Sequence, residues 1–153
     1  MSRSSLLLKL ELESNAEMLS VVRHALGQLA EIEGFSSAEC RSVVLAVDEA
    51  LTNIIKHAYA GEGGRPIQAS FRRIEVQRDG TKTRALEIVV EDRGKRIDQA
   101  TLCGRCLDEV RPGGLGLHFI NECMDTVEFR RRARKNQLRL IKVPNAARLG
   151  KGA

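Results

Sequence analysis

Tryptophan is missing, and one tyrosine and four phenylalanines are the only aromatic residues in the 153-residue chain. A core built from it is aliphatic, and the stacking platforms of a single-stranded nucleic-acid surface are lacking. Long apolar runs are missing too. The start, MSRSSLLLKLELES, has three consecutive leucines before charges interrupt. That is too short for a signal-peptide core, and no other run approaches a membrane span. A cytoplasmic protein without a membrane partner is expected. No GxxxxGK[ST] occurs, which excludes a P-loop. Cysteine occurs four times (Cys40, Cys103, Cys106, Cys123), but CGRC is the only CxxC. A structural zinc normally takes two such pairs, and a redox CxxC opens a helix directly after a strand. Cys103 and Cys106 follow no such strand, so they read as thiols in a loop. His24 and His118 have no partners at metal-ligand spacing.

Charge of one sign is not abundant either: 25 basic against 20 acidic residues leaves a net +5. Much of the excess lies in RRRARK (Arg130 to Lys135) and the tail. The run falls between TVEF and QLRLIKV, two short strand-like segments, and reads as a solvated hairpin tip. Contact with an acidic protein surface is the alternative, and no direct nucleic-acid partner is expected.

What is present is periodicity. SLLLKLELE alternates as a half-buried strand does. Ser14 or Asn15 then offers an N-cap to a helix carrying Met18, Leu19, Val22, Ala25, Leu26, Leu29 and Ile32, ended by Gly34. SSAE (Ser36 to Glu39) is a capping box opening a second helix to about Tyr59. After the turn-rich AGEGGRP come two strands, IQASFRRIEVQ and ALEIVVED, joined through Asp-Gly. Neither period holds from Gly94 to Pro112, a length typical of functional lids. A short helix that begins near Gly114 to Leu117 and runs to about Met124, and a closing hairpin, complete the chain. The order predicts an α/β (α+β) two-layer sandwich, with helices on one face of a mixed, mostly antiparallel sheet. One domain over 1–146 and a short basic tail over 147–153 are expected.

The second helix carries EALTN. With Val47 at zero and 100° per residue, Cys40, Val43, Val44, Ala50, Leu51, Ile54, Ile55 and Ala58 fall within about 80° of it. Glu49 and Asn53 fall near 200° and 240°, directed away from that stripe. A solvated polar face is the simplest reading, although Leu45, one turn before Glu49, suggests a covered outer face. A carboxylate that can take a proton, one turn from a neutral oxygen suited to Mg²⁺, is what phosphoryl transfer requires. His57 lies at the border of the core stripe and reads as structural. PGGLGLHFI (Pro112 to Ile120) sets glycines before a helix N-terminus, where phosphate can approach backbone N–H groups. VVEDRGK (Val89 to Lys95) ends a strand in an acid and a turn glycine, which serves a turn as readily as a ligand.

EALTNIIKHAY, VVEDRGKRID and PGGLGLHFINECMDTVEF, in that order, resemble the N, G1 and G2 boxes of the GHKL (histidine-kinase-like) ATPase superfamily. Within it the chain resembles the anti-sigma-factor serine/threonine kinases over roughly Leu6 to Val143. The histidine-kinase branch carries an upstream phosphoacceptor domain, for which no room is expected. The resemblance implies a Bergerat-type ATP-binding fold, with ATP and Mg²⁺ as cofactors. It implies Glu49 as general base for a protein serine and Asn53 as Mg²⁺ ligand. Asp92 would bind the adenine amino group, with Gly94 giving the base room. Gly114, Leu115, Gly116 and Leu117 would meet the phosphates beneath a lid of about Arg96 to Gly113, from which Arg105 or Arg111 could reach transferred phosphate.

Implied partners are a sigma factor, held inactive, and a small STAS-type antagonist protein that is phosphorylated; a homodimer is implied by analogy. Departures are Arg96 at the second glycine of D-x-G-x-G, and Lys135-Asn136-Gln137 in place of a Gly-Thr turn, which removes a water-bridging hydroxyl near adenine. The family offers CGRC no role. Those departures keep open a non-catalytic, nucleotide-gated binding module, and a degenerate subunit without nucleotide.

Overall fold

The computed structural model describes residues 3–96 and 116–145. A five-stranded sheet carries a layer of helices on one face. In chain order the elements are β1 (Ser5–Glu13), α1 (Met18–Ile32), α2 (Ser37–Asn53), β2 (Pro66–Arg78), β3 (Thr81–Asp92), α3 (Gly116–Cys123), β4 (Thr126–Arg132) and β5 (Lys135–Lys142). The sheet order is β1-β2-β3-β5-β4. All four pairings are antiparallel, so the expected mixed sheet is corrected among the described residues to a purely antiparallel one.

Local chemistry sets most boundaries. Ser36 caps α2: its hydroxyl accepts from the Glu39 N–H at 3.2 Å, and the Glu39 carboxylate accepts from the Ser36 N–H at 3.0 Å. Gly34 ends α1 at φ +90°. Asp79 and Gly80, at φ 52° and 75°, make the two-residue β2–β3 turn whose twist suits a hairpin. The β4–β5 turn uses Ala133 and Arg134 at φ 47° and 65°, without a glycine to relieve it. Ser14 does not cap α1. Its hydroxyl donates to Glu62 O at 2.7 Å and accepts from the Arg65 N–H at 2.9 Å, tying the end of β1 to the loop before β2. Asn15 accepts from the Glu17 N–H at 3.0 Å in the turn entering the helix.

The core lies between the layers and is aliphatic apart from Phe35, Tyr59 and Phe71. Leu19, Val22, Leu26 and Ala30 from α1, and Val43, Val47, Ala50 and Leu51 from α2, meet Ile67, Ala69, Leu86, Ile88, Val90 and Leu140 from the sheet. Glu33 at the end of α1 is clamped to β2 by Arg73, which donates to its two oxygens at 2.9 and 2.6 Å.

α2 continues into a π-helical turn, Ile54–Ala58, closed by the Tyr59 N–H donating to Ile54 O at 2.9 Å. An i→i+5 turn holds more residues than an α-turn, so each residue advances less around the axis. An uninterrupted α-helix would put Tyr59 roughly 120° from Val47, at the edge of the core. The π-turn brings it inside, at 3% exposure. The outward basic tip reading holds for Arg130, Arg132 and Arg134, which are exposed.

Candidate functional site

Asn53 does not face outward as the helix wheel suggested. It is 5% exposed, and its Oδ1 is buried with no hydrogen-bond partner among the described residues. The reason is the width of the buried arc: α2 has α1 and α3 on its flanks, and a helix with neighbours on both sides buries more than a core-facing stripe. Ala46, which shares the Asn53 side of the wheel, is fully buried. Glu49, one turn earlier, is half-buried and makes no hydrogen bond or ion pair among the described residues. Leu45 is 48% exposed. An unpartnered buried amide oxygen is expensive, costing about 1–3 kcal/mol, and α2 places this one where its helix switches to the π-turn. Such turns recur at functional sites. Neutral, hard and unused, Oδ1 fits a Mg²⁺ ion.

Asp92, the last residue of β3, is 5% exposed. Its Oδ1 accepts two hydrogen bonds, each 2.8 Å long, from the Gly94 N–H and from Asn136 Nδ2. No bond falls on Oδ2 among the described residues. Burial pushes this carboxyl above the ordinary aspartate value, against the pull of Asn136, the Gly94 N–H and the Arg131 charge.

Asn136 opposes Asp92 directly in the β3–β5 register and is 1% exposed. Its Nδ2 also donates to Gly94 O at 3.2 Å and Lys95 O at 3.0 Å. Its Oδ1 accepts from Arg131 Nη1 at 2.7 Å, and the same Nη1 donates to Gly94 O at 3.0 Å. The residue standing where a bridging hydroxyl was missed therefore binds Asp92 itself.

Gly94 packs on the end of the π-turn. A Cβ there would lie 2.4 Å from Ala58 O and 2.6 Å from its carbonyl carbon. The adjoining Lys95 N–H donates to Ala58 O at 2.9 Å. Tyr59 braces the same junction, its hydroxyl accepting from the Arg93 N–H at 2.8 Å and donating to Pro66 O. The Asp92–Gly94 corner is thereby fastened to the helix that carries Glu49 and Asn53.

Of the residues singled out in the sequence, Asp92 and Gly94 form the corner packed on Ala58, and Glu49 and Asn53 lie earlier on the helix that runs into that turn. Gly116 opens α3 with Leu117 next to it. Gly114 and Leu115 lie outside the described residues, as do 97–113 of the expected lid, with Cys103, Arg105, Cys106 and Arg111, and the tail. His57 is half-buried, as its place on the wheel suggested. Sequence reasoning missed Asn136 as a partner of Asp92, Arg131 as its anchor, and Tyr59 as a brace. Only the β3–β5 and β4–β5 registers, which set Asn136 opposite Asp92 and opposite Arg131, would have disclosed the first two.

The chain belongs to the histidine kinase-like ATPase family, whose domain matches residues 12–142. Among its relatives is the serine-protein kinase RsbW of Bacillus pumilus, 31% identical over 130 residues, covering 80% of this chain and 76% of the relative. RsbW of Listeria innocua is 32% identical over 128 residues, covering 78% and 76%. Among solved structures, the SiaB–SiaC complex from Pseudomonas aeruginosa shares the fold at TM-score 0.63 and 19% identity, over 90% of this chain and 89% of that one. The RsbU and RsbW domains of a Mycobacterium tuberculosis protein share it at TM-score 0.54 and 15% identity, over 90% and 33%. Among the described residues no helix is long and apolar enough to cross a membrane.

Proposed function

We propose that this chain is a cytoplasmic, ATP- and Mg²⁺-dependent serine-protein kinase of a partner-switching circuit. It phosphorylates a serine on a small STAS-type antagonist protein and sequesters a sigma factor. The observation that carries the reading is the buried, unpartnered Asn53 Oδ1 one turn from the half-buried Glu49 carboxylate. Relatives named serine-protein kinase support it.

In this reading Asp92 Oδ2 accepts from the exocyclic amino group of adenine, and Gly94 keeps the corner closed on the π-turn beside it. Asn53 Oδ1 ligates Mg²⁺, which would offset negative charge on the transferred phosphoryl group. Glu49 takes the proton of the substrate serine as its oxygen bonds to the γ-phosphorus and the bond to ADP breaks. Gly114, Leu115, Gly116 and Leu117 offer backbone N–H groups and a helix N-terminus to the phosphates.

Replacement of Glu49 by Ala tests the assignment. A general base contributes typically 10²–10⁴-fold, so E49A is expected to slow phosphotransfer at least about 100-fold while ATP and antagonist affinities stay within about twofold. Transfer at the wild-type rate would remove Glu49 from the mechanism. A second reading, a nucleotide-gated binding module without transfer, is favoured by Arg96 at the second glycine of the G1 box. A wild-type protein that binds ATP and the antagonist yet moves no phosphate would establish it.

A further inference from the structure

The polar cluster behind Asp92 allows only one arrangement of donors and acceptors. Asn136 has one acceptor and two donor positions on its amide, and either end could in principle face Asp92. Arg131, on the far side, has only donors to give. Asp92 Oδ1, Gly94 O and Lys95 O, on the near side, can only accept. An amide turned by 180° would set oxygen against three oxygens and nitrogen against a guanidinium. Arg131 Nη1, at 2.7 Å from Asn136 Oδ1, therefore locks Nδ2 onto the carboxylate. Asp92 Oδ1 then has two protein donors, and Oδ2 has none among the described residues. A carboxylate held this way presents one acceptor oxygen of defined direction. An exocyclic amino group can donate to it; the carbonyl that guanine carries at the same ring position cannot.

We propose that Asn136, locked by Arg131, is the positioning residue of the base subsite, holding Asp92 with Oδ1 occupied and Oδ2 offered outward, and thereby setting the preference for adenine over guanine. This rests on the reading of Asp92 as the base contact. The chain thus reaches by a direct amide bond what a bridging hydroxyl would reach through water. Arg131 acts through Asn136 and touches no nucleotide.

Calorimetric titration of the full chain with ATP and with GTP, both with Mg²⁺, tests this. Asp92→Asn comes first: an ATP affinity equal to wild type, or a wild-type protein that binds no ATP, would overturn the base-contact reading itself. With that reading intact, Asn136→Leu is expected to weaken ATP about tenfold or more, the scale of one hydrogen bond to a charged group. GTP binding should change little, so the ATP-to-GTP ratio narrows. Because Asn136 is deeply buried, a second variant guards against loss of the fold: Arg131 is an exposed residue, and Arg131→Met should fold while freeing the amide to turn. R131M is expected to narrow the same ratio about threefold or more, with Arg131→Lys, which keeps a donor, restoring most of it. An unchanged ratio in R131M, or equal loss of ATP and GTP binding in a folded N136L, would overturn the positioning role.

Discussion

Replacement of Gly94 by Ala separates two reasons for a glycine at this corner. If glycine is there only to leave room for a bound base, the nucleotide-free protein should not notice a methyl group. The packing says otherwise: the added Cβ would sit 2.4 Å from Ala58 O, 2.6 Å from Ala58 C and 2.7 Å from Ala58 Cβ. Two of these three are backbone atoms of the π-turn, which has little freedom to withdraw. The Tyr59 hydroxyl holds the Arg93 N–H at 2.8 Å on one side, and Lys95 N–H to Ala58 O spans 2.9 Å on the other. Overpacking of this kind costs about 1–3 kcal/mol. Losing the Lys95 hydrogen bond adds about 0.5–1.5 kcal/mol. Stiffening of the unfolded chain by alanine returns about 0.4–1 kcal/mol. Taken at mid-range the three combine to a loss of about 2 kcal/mol, or roughly 4–8 °C in Tm for a chain of this size. Urea unfolding of nucleotide-free wild type and G94A, with the slope m shared, measures it. A variant within about 0.5 kcal/mol of wild type, the range of a harmless surface change, would refute the packing argument and return Gly94 to the ligand alone.

Asn53→Leu is expected to stabilise the nucleotide-free protein by about 1 kcal/mol, because a near-isosteric apolar side chain replaces an oxygen buried without a partner. The same change should abolish the Mg²⁺-dependent part of ATP affinity. Thermal melts and titrations read both, and a destabilised N53L would mean that the oxygen is satisfied. Glu33 is held below the ordinary glutamate value of 4.5 by the Arg73 hydrogen bonds, with burial opposing. A lowered folded-state pKa means stability that is present above about pH 4.5 and fades as pH falls through the folded value. Glu33→Gln should therefore be less stable than wild type near about pH 7, with the gap closing below about pH 4. A gap that stays constant would show that the pair adds nothing through its charge. Asp92 runs the opposite way: its raised pKa gives a contribution present at low pH and lost as pH rises.

The sequence by itself determined much of what depends on groups a few residues apart. The Ser36–Glu39 capping box, the Gly34 stop, the Asp79–Gly80 turn and the alternation of β1 all rest on local hydrogen bonds, local backbone angles or a fixed period, and all are found as read. The order of elements and the resemblance of three boxes then led to the family.

Tertiary structure alone decided which distant residues meet. Asn136 and Asp92 are 44 positions apart, and Glu33 and Arg73 are 40 apart; each pair exists only because a strand register or a helix docking brings it together. The burial of Asn53 was illegible for the same reason. A wheel reports direction from an axis, not what packs against it, and here α3 and α1 close over flanks that the 3.6-residue period leaves open. Tyr59 shows the limit most plainly: one wide turn, invisible in hydrophobic spacing, carries it from the rim of the helix into the core, where it holds the site's corner.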